Sequence, residues 1–195
     1  MHKQRLEAFS DGVIAIIITV MVLEVKVPHG TSWADLRPLV PVFLSYTLSF
    51  IVLGIYWSNH HHLCQAIRLV DGRTLWANLH LLFWLSLIPF VTSWMGENNF
   101  AAGPVALYGV VMLFAGCAYF ILTRVLIALH GADSPLAIAV GSDSKGKASV
   151  LLYLAAIPLA FLFPALACAV YVLVVVIWLI PDRRIERVLA GAQGQ

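Results

Sequence analysis

Ser10 and Asp11 head an apolar run, Gly12-Val13-Ile14-Ala15-Ile16-Ile17-Ile18-Thr19-Val20-Met21-Val22-Leu23. A carboxylate at the end of a run long enough to cross a bilayer needs a buried partner or a wet cavity, so Asp11 is a candidate functional residue. Its candidate partners are Arg5, the consecutive His60, His61 and His62, and Asn78 and His80. The indole N–H groups of Trp57 and Trp76 are further donors. Ser10 can also bond backbone within its own helix. The expected buried polar network is therefore Arg5, Ser10, Asp11, Trp57, His60, His61, His62 and Asn78. Such a network either only satisfies buried polar groups or, through its histidines, also responds to pH.

The same run carries a second set of side chains. At about 100° per residue, Gly12, Ile16, Thr19 and Leu23 share about 60° of arc, with Val20 bordering them. Asp11, Ala15, Ile18 and Val22 lie on a face centred about 100° away. An Ile/Thr/Leu stripe has two readings. It is a packing or lipid-facing surface, or it is the wall of an ion pathway whose one hydroxyl belongs to Thr19.

Other chemistries fit poorly. Consecutive histidines on a helix point about 100° apart and do not converge on one metal ion. No Cys, Asp or Glu at suitable spacing completes a site, so no metal and no cofactor are expected. Cys64, Cys117 and Cys168 are scattered and read as small apolar packing residues. A Gly-rich phosphate loop, GxSxG, HExxH and paired intramembrane carboxylates are all missing, which argues against an enzyme. The TVGYG filter of ordinary potassium channels is missing too.

The elements that must position these residues are membrane helices. The chain has 195 residues, of which 61% are hydrophobic and 11% charged. An average soluble domain is about 25% charged, so this is an all-α polytopic membrane protein with no room for a soluble domain and no reason to bind nucleic acid. Six spans are expected, at roughly 9–27, 38–59, 74–95, 104–126, 149–162 and 165–180, in one domain covering 1–195. The first is expected to be retained as a span, not cleaved as a leader. The last two come from splitting Ser149–Ile180 at Phe163-Pro164, because one helix of that length would be about 48 Å long.

Six spans place both termini on one side, together with Lys3, Arg5, Arg68, Arg73, Arg124, Lys145, Lys147, Arg183, Arg184 and Arg187. Only Lys26 and Arg37 remain on the other. The basic side is then cytoplasmic, and the expected location is the cell membrane. One unit of this size has few helices with which to enclose a pore, so a homo-oligomer around an axis is the natural way to build one.

Three stretches resemble the transmembrane protein 175 family. They are Arg5-x-x-x-Phe9-Ser10-Asp11, then Tyr56-Trp57-Ser58-Asn59-His60-His61-His62, then Asn78-Leu79-x-Leu81-Leu82-Phe83-x-x-Ser86-Leu87-Ile88-Pro89-Phe90. The resemblance covers the first half of the chain. It implies a channel permeable to K⁺ and related monovalent cations, with single-repeat members forming homotetramers whose first helices line a central pore. It also implies a constriction of apolar residues with a nearby threonine, which map onto Ile16, Thr19, Val20 and Leu23. Val20 is smaller than the leucine some members carry there. The competing readings are an ion-coupled secondary transporter, for which no inverted repeat or paired broken helices are visible, and a membrane protein with a histidine metal site.

Overall fold

The structure is a computed structural model that describes residues 3–141 and 143–179. Among the described residues every regular element is a helix. The order is α1 (Lys3–Leu23), a 3₁₀ turn (Trp33–Leu39), α2 (Val40–Gln65), α3 (Gly72–Ser86), α4 (Ile88–Glu97), α5 (Ala102–His130), α6 (Pro135–Val140), α7 (Ser144–Leu162) and α8 (Pro164–Leu179).

Several bounds differ from the expected spans, for local reasons. The first helix runs from Lys3 to Leu23, not from 9 to 27. Lys3 to Glu7 are good helix formers that hydropathy overlooks, whereas Pro28 disfavours helical backbone at the residue before it. The second continues past Asn59 to Gln65 and so contains all three histidines. Neither Gly nor Pro interrupts it there, and the Lys3 ammonium caps its end by donating to the carbonyls of Cys64 and Ile67 at 3.5 and 3.2 Å. Before α2, Ser32 and Asp35 form a reciprocal capping box around the 3₁₀ turn.

The third span, expected whole over 74–95, is broken at Leu87 between α3 and α4. Pro89 has no N–H to give the carbonyl four residues back, and its ring crowds that carbonyl. The fourth is longer than 104–126, reaching from Ala102 to His130. The fifth starts at Ser144, five residues earlier than expected, because Asp143 caps it. Phe163 separates α7 from α8, whose first residue is Pro164. Residues 180–195, which include Arg183, Arg184 and Arg187, lie outside the described residues.

By length and composition, five helical stretches among the described residues can cross a membrane, and Pro164–Leu179 is a shorter apolar helix. The centre of the bundle is α5, packed most extensively on α7 and α3 and also on α4 and α8. Small residues allow this: Ala115 and Ala118 are fully buried, and a Cβ at Gly109 would collide with the Tyr171 hydroxyl. By contrast α1 is peripheral. It packs on α2, α3 and α4, and 28% of its apolar stretch is buried, against 22% for those of α2 and α7 and 56% for α5.

Candidate functional site

The buried residues of α1 are Leu6, Ser10, Ile14, Ile17 and Met21, a stripe at steps of three and four. The stripe of Gly12, Ile16, Thr19 and Leu23 lies on the opposite side, and all four are exposed. Ile16 is 63% and Leu23 80% exposed; Val20 at the border is 38%. Among the described residues nothing covers this face. The Thr19 hydroxyl donates to the Ile16 carbonyl at 2.9 Å. Its one proton is thereby used, and the remaining lone pairs of its oxygen can accept from the solvent side or ligate a cation.

Behind this face the N-terminal half of α1 is clamped by polar contacts. Ser10 is buried; its hydroxyl donates to the Leu6 carbonyl at 2.9 Å and accepts from the Asn78 amide at 2.9 Å. The Asn78 carbonyl in turn accepts from His60 Nε2 at 2.8 Å. That fixes His60 as the Nε2–H tautomer, whose free Nδ1 receives the Cys64 thiol at 3.7 Å. Three helices are thus joined through side chains that water does not reach.

A second row lies nearer the surface. The Trp57 indole donates to Asp11 Oδ1 at 3.1 Å. Trp57 stacks on His61, and His61 Nδ1 pairs with Glu7 Oε1 at 3.0 Å. The Gln65 amide completes His61 by bonding its Nε2 at 2.8 Å. At the other end of the bundle, beyond α1, Lys26 pairs with Glu97 at 2.8 Å, and this contact holds the lysine above its ordinary pKa. The helix is therefore fastened near both ends, with its Ile16 side left open.

Two of the expected network residues are not in it. Arg5 is exposed, on the same side of α1 as Ile16, and makes no hydrogen bond or ion pair to a described residue. Of the candidate partners of Asp11, Trp57 is the one that bonds it; Arg5 does not, because the two α1 residues project about 120° apart. Among the described residues His62 makes no side-chain hydrogen bond or ion pair, and its ring centroid lies 6.1 Å from that of His61. The three histidines diverge, and no group of three metal-ligating side chains occurs among the described residues.

Residues not singled out by the sequence also matter. Glu7 supplies the partner of His61. Deeper in the bundle, Ser49 bonds Thr92 at 2.6 Å and Tyr108 at 3.2 Å, joining α2, α4 and α5. Hydroxyls in membrane helices ordinarily bond their own backbone, so nothing in their spacing marks such a cluster.

The fold and this surface define a class: an all-helical polytopic membrane protein whose peripheral first helix presents an uncovered apolar stripe with one hydroxyl. The profile of the family described as endosomal/lysosomal potassium channel TMEM175 matches residues 5–89. A potassium channel of Chryseobacterium sp. (strain P1-3) is 54% identical over 189 residues, 97% of this chain and 98% of that protein. One from Streptomyces collinus is 35% identical over 123 residues, 59% of this chain and 60% of that protein. The crystal structure of a lysosomal potassium-selective channel TMEM175 homolog from Chamaesiphon minutus superposes with a TM-score of 0.78 at 27% identity, over 91% of this chain and 96% of that one. The chain belongs to the TMEM175 family.

Proposed function

We propose that this protein is a potassium-permeable cation channel of the cell membrane, built as a homotetramer in which four copies of α1 line the pore. The observation that carries the reading is the uncovered face of α1, where Ile16, Thr19 and Leu23 stay exposed while the opposite face, with Leu6, Ser10, Ile14, Ile17 and Met21, is buried in its own protomer and bonded there through Ser10 and Asn78. An oligomer axis along that face gives the stripe a role that packing within the protomer leaves open. The relatives named as potassium channels support the permeant ion.

In this arrangement Ile16 and Leu23 form two apolar rings about 10.5 Å apart along the axis. Each disfavours water and ions when narrow and acts as a gate by dewetting. Between them, four Thr19 oxygens offer lone pairs to a partly dehydrated K⁺ or a related monovalent cation, and Val20 narrows the flank. No cofactor takes part. Orientation follows charge. Lys3 bonds the loop after α2, and His130 Nε2 accepts from the Arg68 and Leu69 N–H groups, so these basic segments share the end of the bundle that starts α1. Lys26 lies at the opposite end. The basic end faces the cytoplasm with both termini.

Purified protein in planar bilayers under a K⁺ gradient tests the reading. The expected reversal potential lies close to the K⁺ equilibrium value and moves with the gradient. Absence of current, or a reversal potential that ignores K⁺, sinks it.

A further inference from the structure

A cavity of about 670 Å³ lies between α2, α5, α7 and α8, and none of its lining residues belongs to α1. Its walls are apolar, with Val52, Gly116, Phe120, Tyr153, Val174 and Trp178 among them. The volume falls within the about 300–1,000 Å³ typical of ligand sites. Ile121 and Leu151 at its edge are exposed, so it opens sideways, toward where hydrocarbon lies.

Its polar residues gather at one end. Asp143 and Lys147 stand there, at the start of α7, on the same end of the bundle as the N-terminus of α1. Asp143 is engaged: its carboxylate caps α7 by accepting from the Gly146 N–H at 3.2 Å, and burial raises its pKa. Lys147 and Arg124 both bear on it electrostatically. The Arg124 guanidinium sits 5.3 Å from the centroid of the Phe120 ring, on the cavity wall. Lys147, in the lining, and Arg124, beside the lining residue Phe120, are thus two exposed cations against one carboxylate already used by backbone. The wall is rigid beside it, since the Trp178 indole donates to Ser149 at 2.9 Å and Ser149 donates to the Lys145 carbonyl at 2.8 Å.

We propose that this cavity seats one acyl chain of an anionic glycerophospholipid, whose phosphate is held at the mouth by Lys147 and Arg124. Basic pockets between membrane helices on the cytoplasmic side suit such headgroups. Guanidinium and ammonium groups form strong charge-assisted bonds to phosphate. The apolar depth with a cationic mouth matches a lipid better than it matches a second copy of this chain, which would bring its own apolar helix to a charged rim.

Gly116 supplies the test. A Cβ there meets only the Tyr56 hydroxyl, at 3.9 Å, and Gly116 lines the cavity, so Gly116→Leu puts its added bulk into that space. Protein is equilibrated in nanodiscs of equal phosphatidylglycerol and phosphatidylcholine, released into mild detergent and read by native mass spectrometry. Wild type is expected to retain about one phosphatidylglycerol per protomer, Gly116→Leu at least ten-fold less. Arg124→Gln combined with Lys147→Gln is expected to cut the preference for phosphatidylglycerol about five-fold. Unchanged retention in Gly116→Leu overturns the proposal, as does equal retention of both lipids by wild type.

A second measurement reads the cavity wall of the wild type, with Trp178→Phe serving only to subtract the other tryptophans. The fluorescence of Trp178, taken as the wild-type signal minus that of Trp178→Phe, is expected to be quenched about three-fold more by brominated phosphatidylglycerol than by brominated phosphatidylcholine. Equal quenching overturns the proposal, and so does shielding from both lipids, which would mean that a neighbouring copy fills the cavity. Neither readout involves ion flow, so either outcome leaves the proposed channel function to its own test.

Discussion

Asn78 holds the clamp together, because its amide spends its donor on Ser10 and its acceptor on His60. All three groups are buried, with 1% or less of each exposed. Removing the amide strands the His60 N–H and takes the donor from the Ser10 oxygen, whose own proton stays on the Leu6 carbonyl, where water cannot replace either partner, at a cost of about 1–3 kcal/mol for each lost bond. Asn78→Ala is therefore expected to lower the stability of the folded protein by about 2–4 kcal/mol, the two losses not being fully additive. Reversible unfolding in mixed detergent micelles measures it. A double-mutant cycle with Ser10→Ala checks that the two side chains act together, and a coupling energy of zero contradicts the clamp. The sequence places Asn78 and His60 at one membrane depth. It does not reveal that Arg5 stands apart, because pairing depends on which faces of neighbouring helices meet. Asp11 had several candidate partners on paper; only the rotation of α2 selects Trp57 among them.

At the scale of helices, close approach depends on Gly96. A Cβ there would stand 2.8 Å from the Val42 Cα and closer still to the Ser45 hydroxyl, where α4 crosses α2. The Val42 atom is backbone and cannot swing aside. Gly96→Ala is expected to destabilise the bundle by about 1–3 kcal/mol through overpacking, against the gain in helix propensity that alanine normally brings. The same unfolding assay reads it. A neutral or stabilising result would mean that α2 and α4 stand further apart than described. Helices themselves are plain in this sequence, since long apolar runs leave little choice of secondary structure. Their ends are less so. Hydropathy misses Lys3 to Glu7 and the histidine turn of α2, because polar helix formers extend a helix without extending the apolar run. Pro89 signals the break at Leu87, yet a proline near a helix start and a proline that splits a span look alike until the preceding turn is seen. The stripe on α1 is readable because it depends on helix periodicity alone. The Ser49–Thr92–Tyr108 cluster is not, because it depends on three helices meeting.

At the scale of the whole molecule, one protomer leaves a face of α1 bare, and the proposed tetramer turns four such faces toward one axis. The most informative variants sit at two levels on that face. Ile16→Asn replaces an apolar ring by one that water can wet, and Leu23→Ala widens the other. Both are expected to raise unitary current, because a narrow apolar ring opposes hydration of the pore. Both side chains are exposed within the protomer, so neither change disturbs its core. Leu154→Ala, exposed on α7 and outside both the α1 stripe and the cavity lining, serves as the control and is expected to leave current unchanged. Thr19→Val asks a separate question, since it keeps the side-chain shape while removing the oxygen whose lone pairs face outward. The expected result is a shift in the K⁺/Na⁺ reversal potential with assembly intact. Bilayer recordings under K⁺/Na⁺ gradients measure both quantities, and size-exclusion chromatography with light scattering reports the oligomer. If Ile16→Asn, Leu23→Ala and Thr19→Val all conduct and select like wild type while remaining tetrameric, the bare face of α1 is not the wall of the pore, and some other helix must line it.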